Sequence, residues 1–511
     1  MTETTKNIAG SAIRGVSWNY LGGISASLCQ LAIGIVLARI LGPRPFGQVI
    51  IASTIYGFLN LFVDGGFSQA LIQKTQLSKE DVRKTFTCQV GIGLSSTALV
   101  FATAPWIARM FHDATAVNVV RAMSLMMTVQ ATGLVAAALL RRSMRFRAVQ
   151  MAALCSYLVG FLLLGIPLAL RGMGVWSLVI AFLAQASVNS ILLHSAARHT
   201  VMPLFRWPER SIMTFGGTII ANNLVNWGHS NLDNLAASGM GTAALGLYGR
   251  GCNFAYQPVN AVVTGLQSVL LSSAARAQER REIVREMIVA VLGIVFGILG
   301  PAYLVLAMLP DTTIMGLYGD KWVGVIPLMV PMALAMPFFG AQALLGPVLC
   351  GLGRPDLEFW PQAISCAMAA VAFFGAARIS LASIAWALLC VVLVRFAAMA
   401  GFAFHLLGIR WREASAMIAG RLAMSAAFSG LMWCVDQALR MEHMGAAWRL
   451  ALLLALSAGL LGALVTMDAR IVFGGRAVRF LLAYEGHLPA WCAARLRGAG
   501  RPKITQEAIR S

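Results

Sequence analysis

Two stretches of this sequence set polar side chains at helical spacing within otherwise apolar surroundings. Asn222, Asn226, His229 and Asp233 follow steps of four, three and four, flanked by Asn223, Ser230 and Asn234. Arg250, Asn253, Gln257, Asn260, Thr264 and Gln267 follow steps of three, four, three, four and three, which draws a polar stripe along nearly a whole helix. A thinner stripe runs through Ser53, Gly57, Asn60 and Asp64. The planar guanidinium fork of Arg250 matches phosphate oxygens, and the amides match sugar hydroxyls. The carboxylates of Asp233 and Asp64 would serve either to couple an ion gradient or to pair with Arg250. Arg395 is a further candidate cavity charge, with snorkelling as the alternative.

The elements that must hold these residues are membrane helices. Of 511 residues, 59% are hydrophobic and only 12% charged, against about a quarter charged in soluble domains. That composition excludes a soluble enzyme or a secreted globular protein. Apolar runs of about 20 residues, each able to cross a bilayer, fall near 13–37, 47–66, 86–107, 118–140, 148–169 and 174–194. A second set falls near 212–236, 243–271, 286–308, 325–350, 358–377, 381–405, 414–436 and 447–467. The expected fold is an all-α polytopic protein of about fourteen spans, with twelve as the lower count. A charge at mid-membrane costs roughly 2.5–3.5 kcal/mol unless it faces water or a partner. Paired stripes on consecutive spans therefore read as walls of one aqueous cavity. Lone residues such as Gln30 and Gln362 read as interhelical hydrogen bonds.

The charge balance sets orientation. There are 40 Lys and Arg against 20 Asp and Glu, but the cations sit in short loops rather than on one soluble face, so no nucleic-acid partner is expected. With the N-terminus cytoplasmic, 28 cations fall in inside segments and nine in outside loops, which places both termini inside. The polar stretch Met1–Gly10 runs into a span without a small-residue cleavage site, so no removable signal peptide is expected. The basic tail after residue 468 has the interleaved Arg and apolar residues of an interfacial helix on anionic lipid.

The sequence has no G-x-x-x-x-G-K-[ST] phosphate loop, no H-E-x-x-H and no G-x-S-x-G elbow. Nine scattered cysteines without a C-x-x-C pair read as small core residues, so neither a metal nor a cofactor is expected. Nothing in the sequence argues for an enzyme. Gly293, Gly297 and Gly300 read as helix packing positions.

The turn Leu41-Gly-Pro-Arg-Pro-Phe-Gly47 is echoed by Met240-Gly-Thr-Ala-Ala-Leu-Gly246 at an offset of 199 residues, each joining the first two spans of a six-span set. Six spans is an even number, so the halves would be parallel repeats with a site between them. The expected organisation is an N-lobe over 1–210, a C-lobe over 211–410, two extra helices over 411–468 and a basic cytoplasmic tail over 469–511.

Leu37-Ala-Arg-Ile-Leu-Gly-Pro-Arg-Pro-Phe-Gly47, Ala70-Leu-Ile-Gln-Lys74, Leu140-Arg-Arg-Ser-Met-Arg-Phe-Arg147, Gly174-Val-Trp-Ser-Leu178 and Asn231-Leu-Asp-Asn234 with Leu245-Gly-Leu-Tyr248 form an ordered series over roughly residues 10–410. The series resembles the polysaccharide transporter family, the oligosaccharide flippases of the multidrug/oligosaccharidyl-lipid/polysaccharide exporter superfamily. The resemblance implies two six-helix lobes around a central cavity. It further implies transfer of an undecaprenyl-diphosphate-linked sugar unit across the bacterial inner membrane for exopolysaccharide, capsule or lipopolysaccharide assembly, alongside a polymerase and chain-length machinery. By the same resemblance, Arg250 sits where related lipid II flippases carry a cavity arginine. Those flippases also have an Arg-Asp pair in the first helix, which is apolar here between Asn19 and Gln30, so lipid II itself is the poorer substrate. The alternatives are a multidrug antiporter of the same superfamily, whose cavity should be acidic or aromatic, and a polytopic glycosyltransferase or polymerase, for which Asp311 and Asp320 are the outside-loop candidates.

Overall fold

The computed structural model describes residues 27, 29–74, 76–198, 204 and 210–473, with no account of the side chains of 73, 210–222, 265, 268, 269, 465–471 and 473. The expected tail helix beyond 473 and most of the first span lie outside the described residues. The described residues form seventeen α-helices: α1 (Cys29–Ile40), α2 (Pro43–Asp64), α3 (Phe67–Gln73), α4 (Lys79–Met110), α5 (Val117–Arg142), α6 (Phe146–Tyr157), α7 (Ile166–Leu170) and α8 (Val175–Ala197) precede residue 210. After it come α9 (Arg210–Ser238), α10 (Thr242–Arg276), α11 (Arg281–Met308), α12 (Pro310–Leu317), α13 (Ile326–Gly351), α14 (Asp356–Ala376), α15 (Leu381–Leu407), α16 (Trp411–Met441) and α17 (Ala446–Phe473).

Among the described residues, eleven segments are long and apolar enough to cross a membrane. α9 and α10, with 29 and 35 residues, are long enough as well and carry the polar stripes, and α1 is the described end of the first span. The protein is therefore a multi-pass helical membrane protein with about fourteen spans.

The chain forms two compact units. One comprises the chain up to Gln257 together with Tyr318–Val325 and Cys366–Ile384; the other comprises Pro258–Leu317, Ile326–Ser365 and the chain from Ala385. The division between these units falls inside α10, at Pro258.

The first unit is organised around α5, which packs against α2, α3, α4 and α8. Lipid tails are as apolar as leucine, so helices associate by close packing of small residues. Gly93 of α4 lies against Ala131, and Gly133 of α5 against Ser190 of α8. In the second unit α11 plays the same part against α13, α16 and α17. Its Gly297 meets the Val472 backbone, and its Gly300 meets the Ser425 hydroxyl. The C-terminal pair is also tied down by charge: the fully buried Asp436 accepts from Arg440 at 2.7 Å, Arg449 at 3.1 Å and Thr312 of α12 at 2.9 Å. Asp311 lies 3.8 Å from Arg440 at the edge of this cluster.

The two echoing turns meet in the first unit. A Cβ on Gly47 would stand 1.8 Å from the Thr242 carbonyl oxygen, and one on Gly246 would stand 2.0 Å from the Pro43 carbonyl oxygen. In the 199-residue alignment Gly47 matches Gly246 and Pro43 matches Thr242, so each contact is the other's counterpart. Gly42 and Gly241 match too, with φ of 85° and 98°, a left-handed conformation that glycine adopts without strain. The starts of α2 and α10 thus cross backbone to backbone in a pseudo-twofold arrangement.

A buried carboxylate braces this crossing. Asp113, between α4 and α5, accepts from Gln48 of α2 at 3.2 Å and from Thr242 of α10 at 2.9 Å, with Arg44 at 3.6 Å. Burial works against its charge, but the hydrogen bonds from Thr115, Thr242 and Gln48 outweigh that and hold the carboxyl below its usual range. A carboxyl depressed in the folded state adds stability above its ordinary pKa of about 3.9, and that stability is lost as pH falls through the lower folded value. The thermal-stability difference between the native protein and Asp113→Asn should accordingly be constant from neutral pH to about pH 5 and shrink only below about pH 4. A difference that disappears between pH 7 and 5 would show that Asp113 is not held ionised.

Candidate functional site

A cavity of about 360 Å³ opens in the first unit, lined by α1 (Gln30, Gly34, Leu37), α2 (Phe46, Val49, Ile50, Ser53), the α6 region (Tyr157, Phe161), α8 (Leu178, Phe182, Gln185) and α10 (Gly249, Arg250, Asn253, Gln257). Helices from both sides of residue 210 contribute. Arg250 is the only charged residue in the lining among the described residues.

Arg250 is held by rings. Its guanidinium carbon lies 5.3 Å from the Phe46 ring centroid and 5.0 Å from that of Tyr318, and cation–π contact of this kind favours a cation over a ring face. Among the described residues no carboxylate lies within ion-pair distance of it, and its buried Nε has no hydrogen-bond partner there. On the open side stand Gly34, where a Cβ would come within 2.7 Å of a guanidinium nitrogen, and the amides of Asn253 and Gln257, which bond each other at 3.0 Å. Gly34→Ala should displace the guanidinium without removing its charge, since only the end of a flexible side chain must move. The expected result is unchanged folding with a partial loss of the activity proposed below; full activity would show that the present position of the guanidinium is immaterial.

The aromatic wall owes its register to an irregular turn. Between α6 and α7 the backbone widens to a π-helical segment, Leu158–Gly165, of a kind that gathers at functional sites. Gly160 there packs on the Ala181 carbonyl of α8. Tyr157 stacks on Phe161 at 4.7 Å between centroids, and Phe161 meets Phe182 edge-on at 4.8 Å. The cavity therefore joins one cation to amides and aromatic faces, which suits a phosphate with an attached sugar.

The structure brings Arg250, Asn253 and Gln257 together and leaves the other sequence candidates outside this lining. Asp233 is buried beneath the α9–α10 turn, where it accepts from the Tyr248 hydroxyl at 3.1 Å and the Asn234 N–H at 2.8 Å. Its expected pairing with Arg250 is replaced by these neutral donors. Asp64 ends α2 and accepts from Ser68 at 2.6 Å. Asn226 is exposed and His229 half-buried on α9, and the side chain of Asn222 lies outside the described residues. Asn260 and Arg395 belong to the second unit, where Arg395 donates to Gln362 at 3.3 Å, the interhelical bond expected of Gln362. Gln30, in contrast, lines the cavity rather than bonding helices together. The aromatic wall, Gln185 and Tyr318 are additions that the sequence did not reveal: aromatic residues in an apolar span carry no periodic contrast between lipid, helix and cavity.

Residues 36–327, more than half of the chain, match the family described as "Polysaccharide biosynthesis protein". The chain belongs to that family. Among curated proteins it is similar to the succinoglycan biosynthesis transport protein ExoT of Rhizobium meliloti (strain 1021), at 27% identity over 70% of this chain and 73% of that one. It is also similar to the lipopolysaccharide biosynthesis protein WzxC of Escherichia coli (strain K12), at 23% identity over 68% and 71%, and to the teichuronic acid biosynthesis protein TuaB of Bacillus subtilis (strain 168), at 22% over 78% and 82%. Among solved structures, the fold of this polysaccharide biosynthesis protein is that of the lipid II flippase MurJ, with a TM-score of 0.71 over 88% of this chain and 98% of MurJ at 11% identity. A multidrug resistance MATE family transporter of the MOP superfamily follows at a TM-score of 0.58 over 78% of this chain and 98% of that one, at 15% identity. These likenesses place the family member in a transporter fold.

Proposed function

We propose that this protein is a flippase that carries undecaprenyl-diphosphate-linked oligosaccharide units across the bacterial inner membrane for exopolysaccharide, capsule or lipopolysaccharide assembly. The observation that carries the reading is the cavity's charge: among the described residues, one ring-held arginine, no carboxylate, and amides and aromatic faces beside it. That arrangement binds an anionic head and a sugar body, and the curated relatives are named for polysaccharide biosynthesis.

In the mechanism, Arg250 holds the diphosphate through its fork of donors. Asn253 and Gln257, with Gln30 and Gln185, meet sugar hydroxyls, while Tyr157, Phe161 and Phe182 offer ring faces. The lobes 1–210 and 211–410 alternate access, and Asn222, Asn226, His229 and Asn260 line the path of the sugar as it moves, with Arg395 a second charge along it. Asp233 and Asp64 carry the coupling role. The tight crossing at Gly47 and Gly246 neighbours the lining residues Phe46 and Gly249, at the end that by the 28-to-9 charge bias faces outward. Both termini and the tail over 469–511 lie in the cytoplasm, residues 411–468 add two helices, and the unit is delivered to a polymerase with its chain-length machinery. No bond is made or broken.

The competing reading is the multidrug antiporter. Its ligands are cations, and a cavity lined by a half-buried arginine with no acid among the described residues repels them. A strain lacking the gene should lose surface polymer and keep its resistance to cationic drugs. Retained polymer with heightened drug sensitivity would reverse the assignment.

A further inference from the structure

Outside the cavity, the hairpin of α2–α3 against α4 holds a polar quartet around Asp64, and what this quartet binds deepens the coupling role proposed above for that carboxylate. Asp64 and Ser68 lie on one arm, Gln89 and Thr85 on the other. The arms run antiparallel: the Gln89 amide nitrogen donates to the Asp64 backbone oxygen at 3.4 Å, while about two turns further Leu71 and Val82 share a core cluster, which sets Thr85 opposite Ser68. Gln89 and Thr85 are both 0% exposed, and among the described residues neither the Gln89 Oε1 nor the Thr85 hydroxyl oxygen has a hydrogen-bond partner. Buried polar atoms almost always have partners, so two orphaned oxygens one helical turn apart on the same face are unusual.

The donors present are oxygens only. Among the described residues, Asp64 brings a carboxylate whose one side-chain donor is Ser68 at 2.6 Å, and no cation lies within ion-pair distance of it. Lys74 at the end of α3 is held by Asp81 at 2.9 Å. An uncompensated carboxylate within a membrane helix is costly. A small hard cation would answer both anomalies, since hard cations take carboxylate, amide and hydroxyl oxygens together. A single carboxylate among otherwise neutral oxygens balances one positive charge, which favours a monovalent ion over a divalent one.

We propose that Asp64, Thr85 and Gln89, with Ser68 orienting the carboxylate, form a sodium-binding site in the first unit. The site lies on the α2–α4 hairpin, separate from the Arg250 lining. α2 also carries Phe46 and Ser53 into the cavity, so an ion held at one end of this helix is positioned to bias the helix that lines the substrate. Cation binding stands whether or not the transported substrate is the one proposed above, and the test reads binding alone.

The test is radiolabelled-sodium binding to the purified full-length protein in detergent, with choline replacing sodium at matched ionic strength, alongside thermal stability under the same salts. The native protein should bind sodium saturably and melt higher in sodium than in choline, as a ligand that favours the folded state requires. Thr85→Val keeps the shape and removes the oxygen; Gln89→Met does nearly the same. Each should weaken sodium binding at least about tenfold, a free-energy change of about 1.4 kcal/mol, and shrink the sodium-dependent shift, while melting in choline changes little for Thr85→Val. Asp64→Asn should abolish binding. Absence of saturable sodium binding in the native protein, or native affinity in Thr85→Val, would overturn the proposal; so would stabilisation by protons alone, with sodium and choline equivalent.

Discussion

Replacing Arg250 by alanine should abolish export of polymer while the protein remains inserted and folded. The guanidinium forms no ion pair among the described residues, and its neighbours are the rings of Phe46 and Tyr318 at 5.3 and 5.0 Å. Its removal leaves no opposite charge stranded. Placing a cation in a membrane helix carries a cost of roughly 2.5–3.5 kcal/mol on insertion scales, so alanine relieves insertion rather than impairing it. On the substrate side, each hydrogen bond to a charged group is worth about 1.5–3 kcal/mol, and a fork makes two. The expected loss is at least about a hundredfold in transport. Arg250→Lys separates charge from geometry: a lysine keeps the cation but gives up the fork and the flat stacking face, so transport should fall between native and alanine. Membrane yield and melting temperature serve as folding controls, and native polymer yield in Arg250→Ala would remove the basis of the assignment.

Gly246→Ala should destabilise the protein and part the crossing of α2 and α10. The new methyl would stand 2.0 Å from the Pro43 carbonyl oxygen and 3.0 Å from the Gly47 nitrogen. Both are backbone atoms, so no rotamer relieves the clash and the helices themselves must separate. Overpacking of well-packed sites costs about 1–3 kcal/mol and occasionally more; a backbone collision belongs at the upper end. Gly47→Ala, facing the Thr242 carbonyl at 1.8 Å, should behave alike because the contact is reciprocal. Gly91→Ala is the control, with nothing within 4 Å of the added methyl. Thermal melting of the three variants reads the difference directly. Equal stability of Gly246→Ala and Gly91→Ala would show that the crossing is not a close contact in the working protein. Because separation opens the end that Asp113 braces, Gly246→Ala should also lose transport even where enough folded protein remains.

How much of this was legible in the sequence depends on the kind of signal. The spans were legible because apolar length is a property of contiguous residues, and the echoing turns because an offset of 199 residues keeps the same Gly spacing. Arg250, Asn253 and Gln257 stood out because a stripe at 3.6-residue spacing contrasts with an apolar helix. Asp233 satisfies the same spacing, but its partner Tyr248 comes from the next helix across a turn, and only the fold brings them within 3.1 Å. Phe46 and Tyr318, which clamp Arg250, lie more than 200 residues before and more than 60 after it. Gln30 looked like any lone amide in a span. Tyr157, Phe161 and Phe182 were invisible because a ring facing a cavity and a ring facing lipid are the same letter, and the π-helical turn that aims the first two has no signature in residue type.

The central claim is that Arg250 holds an anionic lipid-linked sugar for transfer across the membrane. Its most direct test is flipping of a fluorescent polyprenyl-diphosphate oligosaccharide in proteoliposomes containing the native protein, Arg250→Lys or Arg250→Ala. The account predicts transfer by the native protein, reduced transfer by the lysine variant and transfer by the alanine variant no faster than in protein-free vesicles. Native-rate transfer by correctly inserted Arg250→Ala would contradict it.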